Sequence, residues 1–178
     1  IVPLNGAAPG PKFELLLRMT DESGDSVSPE RFFSAAERYQ LAPAIDRWVV
    51  RQACTRLAHR RGDTTREPYI LAINISATTL NDEQFLDFVI AELAQADLAP
   101  GALCFELTEG AAMTSLASAT HFISELRDRG CRFSLDDFGS GLSSFIFLKN
   151  LPVDFLKLDG QFMHNVTHDH IDRSMVEA

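Results

Sequence analysis

Short apolar runs separated by longer stretches of helical periodicity constrain this chain more tightly than any other feature. Runs rich in Ile, Leu, Val and Phe fall at Phe13–Met19, Tyr69–Ser76, Ala102–Thr108, Cys131–Asp136 and Val153–Asp159. Each is too short for a helix and closes on polar or turn-forming residues, which predicts strands, most of them buried on both faces. Between them, Pro29–Tyr39 reads as a helix, with Ser28 at the N-cap, Pro29 at the first helical position and Glu30 in the first turn. Pro43–Arg61 carries Ile45, Trp48, Val49, Ala53 and Leu57 at three-to-four spacing and ends in basic residues before Gly62, which complements the helix dipole. Asp82–Ala96 and Ser115–Arg129 repeat the pattern, and Gly130 follows the latter as a left-handed stop. Alternating strands and helices predict an α/β fold with a mostly parallel sheet and crossover helices, either doubly wound or closed into a barrel. No glycine-rich phosphate fingerprint follows the first strand, which argues against a dinucleotide-binding fold.

Composition supports a packed core and narrows the partners. At 178 residues and 46% hydrophobic content, the chain has the size and apolar content of one domain. No run reaches the roughly 18 apolar residues of a membrane span, and the N-terminus lacks the order of a secretory signal. The segment is therefore expected to make no membrane contact and to be cytoplasmic, either free or as the cytoplasmic part of a membrane-anchored parent. A net charge of −9 speaks against gripping a nucleic-acid polymer through a basic surface. An acidic chain that handles phosphate does so most naturally through bound metal. Cys54, Cys104 and Cys131 are far apart and lack zinc or redox spacing, so they read as reduced core thiols.

In parallel α/β folds the chemistry gathers beyond the carboxyl ends of the strands. Here those ends carry Asn74, then Glu106 with Glu109 just past it, then Asp136–Asp137, then Lys157 with Asp159. Buried charge is costly unless paired or metal-bound, so packing alone explains this series poorly. Carboxylate and amide oxygens suit hard divalent cations, which predicts a Mg²⁺ or Mn²⁺ site. His164, His168 and His170 are not grouped with these positions and are assigned to a surface helix without a metal role. Adjacent aspartates point to opposite sides of an extended chain, so Asp136 and Asp137 share a site only if the strand ends between them. Phe138–Gly139–Ser140–Gly141 offers that turn, and such a pair suits a two-metal centre. Lys157, inside an apolar strand, reads either as a salt-bridged structural lysine or as a group that holds a nucleophilic water or neutralises phosphate. Glu14, Leu16 and Arg18 share one parity on the first full strand, so a carboxylate and a guanidinium can face one cavity or pair on a sheet edge. Glu14 begins its expected strand instead of ending it, against the parallel-strand rule.

Glu14-Leu15-Leu16-Leu17-Arg18 is similar to a Glu-Ala-Leu-Leu-Arg signature with Leu15 in place of Ala. Ser28-Pro29 to Glu37, Trp48-Val49, Asn74-Ile75-Ser76-Ala77 and Glu106-Leu107-Thr108-Glu109 follow in order. So do the runs from Asp136 to Ser144 and from Leu151 to Asp159. The series resembles the EAL-domain family of bacterial cyclic di-GMP phosphodiesterases over nearly the whole chain. The resemblance implies a modified TIM-type (β/α)8 barrel with one antiparallel strand, which would account for the placement of Glu14. It also implies roles: Glu14, Asn74, Glu106 and Asp136 would hold one Mg²⁺ or Mn²⁺, and Asp136 would bridge to a second that Asp137 also binds. Lys157 would orient the attacking water, Leu16, Arg18 and Asp159 would contact substrate, and Glu109 would brace the loop from Phe138 to Ser144. That loop links substrate, metal and dimer interface in the family, and Leu142 stands here where Tyr is usual.

Only Ile1-Val2 corresponds to the family's first strand, and the family's last strands, with a metal-binding glutamate and a substrate-contacting glutamine, have no counterpart in residues 1–178, which stop in the helix containing Met175-Val176-Glu177. A barrel of this type takes about 250 residues, so residues 1–178 are expected to be a partial EAL domain, either part of a longer signalling protein, which is the favoured reading, or a crippled fragment. Sensory or GGDEF cyclase domains elsewhere in that parent chain and a homodimer are implied with it. The expected activity is hydrolysis of cyclic di-GMP to linear pGpG. The same resemblance allows a catalytically silent cyclic di-GMP receptor or scaffold.

Overall fold

The computed structural model describes residues 2–3, 10–60, 67–139, 151–164, 166–168, 170 and 173–174. In chain order the elements are β1 (Val2–Pro3), β2 (Lys12–Leu15), β3 (Met19–Thr20), β4 (Ser26–Val27), α1 (Pro29–Arg38), α2 (Ala42–Ala58) and β5 (Ile70–Asn74). There follow α3 (Ala77–Leu80), α4 (Glu83–Ala96), β6 (Leu103–Thr108), α5 (Glu109–Thr114), α6 (Leu116–Arg127), β7 (Arg132–Phe138), β8 (Phe155–Leu158) and α7 (Gln161–His164). Six strands form one sheet in the order β1-β8-β7-β6-β5-β2. Neighbours from β2 to β8 are parallel, and β1 runs antiparallel against β8. Helices from the crossovers cover one face, and the sheet curls as part of a TIM-type barrel.

Period-two alternation splits the strands into two faces. Leu71, Ile73, Leu103, Phe105, Leu107, Phe133 and Leu135 point outward into the main core with α2, α4 and α6. Phe105 stacks on Phe133 at 5.5 Å between ring centres and meets Phe122 of α6 edge-on at 5.7 Å. Ile70, Ala72, Cys104 and Phe155 make a smaller inward cluster. β5 and β6 are buried on both faces as expected, whereas β2, at an edge, has both Phe13 and Glu14 exposed. The three cysteines are unpaired and buried. Burial pushes the Cys54 thiol up to about 11, and those of Cys104 and Cys131 up to about 12.

The strand expected at Phe13–Met19 is broken. Asp21 Oδ1 accepts the backbone N–H groups of Ser23 and Asp25 at 2.9 and 3.0 Å, and Gly24 adopts φ +86. That turn folds Met19–Thr20 back onto Ser26–Val27 as a separate hairpin. β2 therefore ends at Leu15, and Glu14 lies near its carboxyl end. The antiparallel strand is β1, so the parallel-strand rule holds for Glu14. Helix boundaries move less. Ser28 precedes α1 in extended conformation without a side-chain cap bond, and Asp82 caps α4 by accepting the Gln84 N–H at 3.0 Å. Gly130 stands at φ +86 after α6, whereas Gly62 lies outside the described residues.

Candidate active site

Residues in register on parallel neighbours share a face, and the register sets Glu14 beside Ala72, Asn74 beside Glu106, and Thr108 beside Asp136. The inward side chains near these strand ends converge on one cation. Lys157 Nζ donates to Asp136 Oδ2 at 2.6 Å, Glu106 Oε2 at 3.0 Å and Glu14 Oε2 at 3.3 Å. Asn74 Nδ2 donates to Glu14 Oε1 at 2.7 Å. Glu106 is 1% exposed, and its second oxygen takes the Lys12 ammonium at 2.5 Å. A carboxylate that deep needs both oxygens satisfied. Burial alone would lower the Lys157 pKa, but hydrogen bonds to Asp136 and Glu106 and their charges hold it well above the ordinary 10.5. Among the described residues, no three His, Cys, Asp or Glu side chains stand as a ready cage for a metal ion.

Asp136 and Asp137 are turned apart in an unexpected way. β7 runs through both to Phe138, with a register irregularity against β8 between Leu135 and Phe138. Asp137 adopts φ 55, a left-handed conformation that aspartate tolerates better than most residues. The extra bulged residue already redirects the chain at Asp137. Of the turn expected after it, Gly139 is in a turn at φ +94, and Ser140 and Gly141 lie outside the described residues. Burial first, then the charges of Asp136 and Asp159, raise the Asp137 carboxyl above 3.8 against the pull of Lys157. Thr108 caps α5 through the Ala111 N–H at 3.1 Å, which sets Glu109 at the helix start. Glu109 Oε2 accepts the Gly139 N–H at 2.9 Å. Gly139 stands at φ +94, and a Cβ there would lie 2.5 Å from the Phe162 ring. Asp159 Oδ1 accepts the Gln161 N–H at 2.7 Å at the start of α7. Ser140–Ser144, with Leu142, lie outside the described residues.

Beside this cluster lies a cleft of about 650 Å³. Leu16 and Arg18, just past the end of β2, help line it together with Phe33, Asp46, Asn74 and Thr108. Leu16 is 57% and Phe33 46% exposed. The cleft meets the acidic cluster at Asn74, while Glu106, Asp136, Asp137, Lys157 and Asp159 lie outside its wall. The shared strand parity expected of Glu14, Leu16 and Arg18 does not hold, because the strand stops between the first and second. Arg18 Nη1 donates to the Leu17 carbonyl at 2.9 Å. His168 and His170 are exposed; α7 ends at His164, so His168 follows in a turn outside it.

Two participants were missed in the sequence. Lys12 sits two residues before Glu14, the same parity, and that spacing was the available signal. Asp46 falls on the buried stripe of α2 with Val50, Ala53, Cys54 and Leu57, a polar residue where the period asks for an apolar one. Its Oδ2 accepts the Ser76 N–H at 2.9 Å and the Ser76 hydroxyl at 2.7 Å, pinning the turn just after Asn74.

The sequence pattern described as the EAL domain matches residues 9–178. Cyclic di-GMP phosphodiesterase PdeB of Shewanella oneidensis is 33% identical over 167 residues, 94% of this chain and 19% of that protein. Cyclic di-GMP phosphodiesterase PdeF of Escherichia coli is 33% identical over 176 residues, 99% of this chain and 23% of that protein. The chain thus spans about a fifth of the length of these two curated relatives. The crystal structure of the FimX EAL domain from Pseudomonas aeruginosa bound to c-di-GMP superposes with a TM-score of 0.85 at 29% identity. That superposition covers 98% of this chain and 69% of that one. With the family pattern matched from residue 9 to residue 178 on a fold that superposes this closely, the chain belongs to the EAL domain family.

Proposed function

We propose that this chain carries the centre of a metal-dependent cyclic di-GMP phosphodiesterase that opens the cyclic dinucleotide to linear pGpG. The observation that carries the reading is the convergence of Glu14, Glu106 and Asp136 on one cation at the strand ends, beside a cleft lined by Leu16 and Arg18. Relatives named cyclic di-GMP phosphodiesterases and a neighbour solved with c-di-GMP support it.

The donor set fits a hard divalent ion. Three carboxylates already surround a positive charge, the Asn74 amide lies against one of them through Nδ2, and none of these groups is a soft ligand. Glu14, Asn74, Glu106 and Asp136 would hold one Mg²⁺ or Mn²⁺, and Asp136 with Asp137 a second. When bound, such ions supply an activated water and offset the charge on the leaving oxygen. The chain's own groups do the rest. Arg18 offers a forked donor to a substrate phosphate, and Leu16 and Phe33 give a guanine base apolar surface. Lys157 gives its three donors to Glu14, Glu106 and Asp136; once an ion takes one of these carboxylates, the donor it frees would orient the water that attacks phosphorus as a ribose oxygen leaves. Asp159, which lies outside the cleft wall at the start of α7, is assigned to substrate contact on the acidic-cluster side. Glu109 holds the Gly139 amide, so the chain leaves β7 in one direction. The reading places residues 1–178 as part of an EAL domain in a longer cytoplasmic or membrane-anchored signalling protein. It includes a homodimer and sensory or GGDEF cyclase domains in the same parent. No described helix is long and apolar enough to cross a membrane.

The test is chromatographic separation of pGpG after incubating the full-length protein with cyclic di-GMP in Mg²⁺ or Mn²⁺. Turnover is expected, and Asp136→Asn is expected to fall below about a tenth of it, because the bridging charge is gone. Retention above that level overturns the metal assignment. Tight binding of the intact dinucleotide without turnover replaces the enzyme by a receptor.

A further inference from the structure

Lys12 stands outside the motif that carries Glu14, yet its ammonium is inside the curled sheet. Its side chain is 10% exposed, with Nζ 2.5 Å from Glu106 Oε1 and 4.7 Å from the centre of the Phe155 ring. Register explains the depth: Lys12 lies beside Ile70 and Glu14 beside Ala72, so Lys12 is one inward position further from the strand ends. The opposite oxygen of Glu106 is held by Lys157 at 3.0 Å. One buried carboxylate is thus clamped between two ammoniums. Lys157 is shared with Glu14 and Asp136, whereas Lys12 makes its ion pair to Glu106.

We infer that Lys12 is a built-in competitor for Glu106 that weakens the affinity of the site for divalent metal; the inference rests on the metal-centre reading above. Two effects act in the same direction. The ammonium occupies Oε1, leaving Glu106 one fewer lone-pair direction and less negative charge to offer an incoming ion. It also repels that ion across a short, partly desolvated gap, where Coulomb interactions are stronger than in water. Leaving is unfavourable for Lys12, because the Phe155 ring, 4% exposed, stabilises it from the other side through a cation–π contact. Lys157 differs, since it is placed among the ligands at the strand ends and has other carboxylates to keep when an ion takes one of them.

The measurement is calorimetric titration with Mn²⁺ alone, without nucleotide, of the full-length protein as wild type, Lys12→Met and Lys12→Arg. Lys12→Met is expected to bind Mn²⁺ about tenfold more tightly than wild type, as removal of one nearby charge at intermediate dielectric implies. Lys12→Arg, which keeps the charge, is expected to stay close to wild type. The metal-free melting temperature of Lys12→Met should fall, and Mn²⁺ should raise it by more than it raises the wild type. Equal Mn²⁺ affinities in wild type and Lys12→Met overturn the competitor role while leaving the metal centre standing. Weaker binding in Lys12→Met overturns it too, by making Lys12 a support that positions Glu106. No Mn²⁺ binding by either protein overturns the metal reading and this inference together. If Lys12→Met does not fold, Lys12→Gln keeps a polar partner for Glu106 and is read by the same criteria.

Discussion

The two faces of the six-stranded sheet are built from alternate residues of the same strands, yet they obey different rules. Outward, Leu71, Ile73, Leu103, Phe105, Leu107, Phe133 and Leu135 pack on helices, and many interchangeable apolar contacts share the work. Inward, Lys12, Glu14, Asn74, Glu106, Asp136 and Lys157 meet through a few short polar contacts, each with a defined partner. Among the described residues, the buried side-chain polar atoms without a hydrogen-bond partner are Arg132 Nε and Ser134 Oγ, both at inward positions of β7. One face supplies stability by area, and the other spends part of it to hold charge where solvent is scarce.

Substitutions on each face test that contrast. The largest effect on stability belongs to the outward face: Phe105→Ala removes a ring held between Phe122 and Phe133 and is expected to cost about 3–5 kcal/mol. Urea unfolding measures it, and a loss below about 1 kcal/mol would mean the outward core is not the main stabiliser. A smaller loss is expected inward. Lys157→Met strips three carboxylates of a shared cation, and because these groups keep partial solvent contact the cost is about 2 kcal/mol at neutral pH. Added Mn²⁺ should recover most of it in the same urea curves; no recovery would separate the carboxylate cluster from metal binding.

The smallest effect is on Asp46, which holds Ser76 just after β5 from α2. Asp46→Asn keeps an acceptor for Ser76 and should change stability by only about 1 kcal/mol near neutral pH. Its value lies in the pH dependence. Burial raises the Asp46 carboxyl above 3.8, outweighing the Thr79 and Ser76 hydrogen bonds and the Arg47 charge that lower it. The folded state therefore holds this proton more tightly than the unfolded one, so the stabilisation is full below 3.8 and fades as pH rises through the raised value. Wild type should gain on Asp46→Asn as the solution is acidified across that window. A difference that stays flat with pH would show that desolvation does not dominate at Asp46.

Much of the outward face was legible in the sequence, because strands and long helices announce themselves by period. β5 to β8 and α1, α2, α4 and α6 all fall within a few residues of their expected spans. What was not legible depends on single side chains in place of a period. The β3–β4 hairpin rests on Asp21 accepting two amides, and α5 begins where the Thr108 hydroxyl caps it. The same holds inward. The strand-end residues could be named one by one, but the clamp of two lysines on Glu106 requires knowing that β2 stops at Leu15 and pairs with β5 in one register. The left-handed Asp137 likewise has no signature beyond an aspartate that tolerates it.

The alternation of β7 also sets how this strand can change length. Phe133 and Leu135 belong to the outward core, while Ser134 and Asp136 face in. A single-residue deletion between Arg132 and Leu135 would exchange the two sets and turn the strand inside out. Deleting two residues would keep the parity but draw Asp136 back by about 7 Å, out of reach of Lys157. The bulge beyond Leu135 is the place where an additional residue is already absorbed. Insertions and deletions in this strand are therefore filtered far more severely than substitutions, with tolerance confined to the stretch after Leu135.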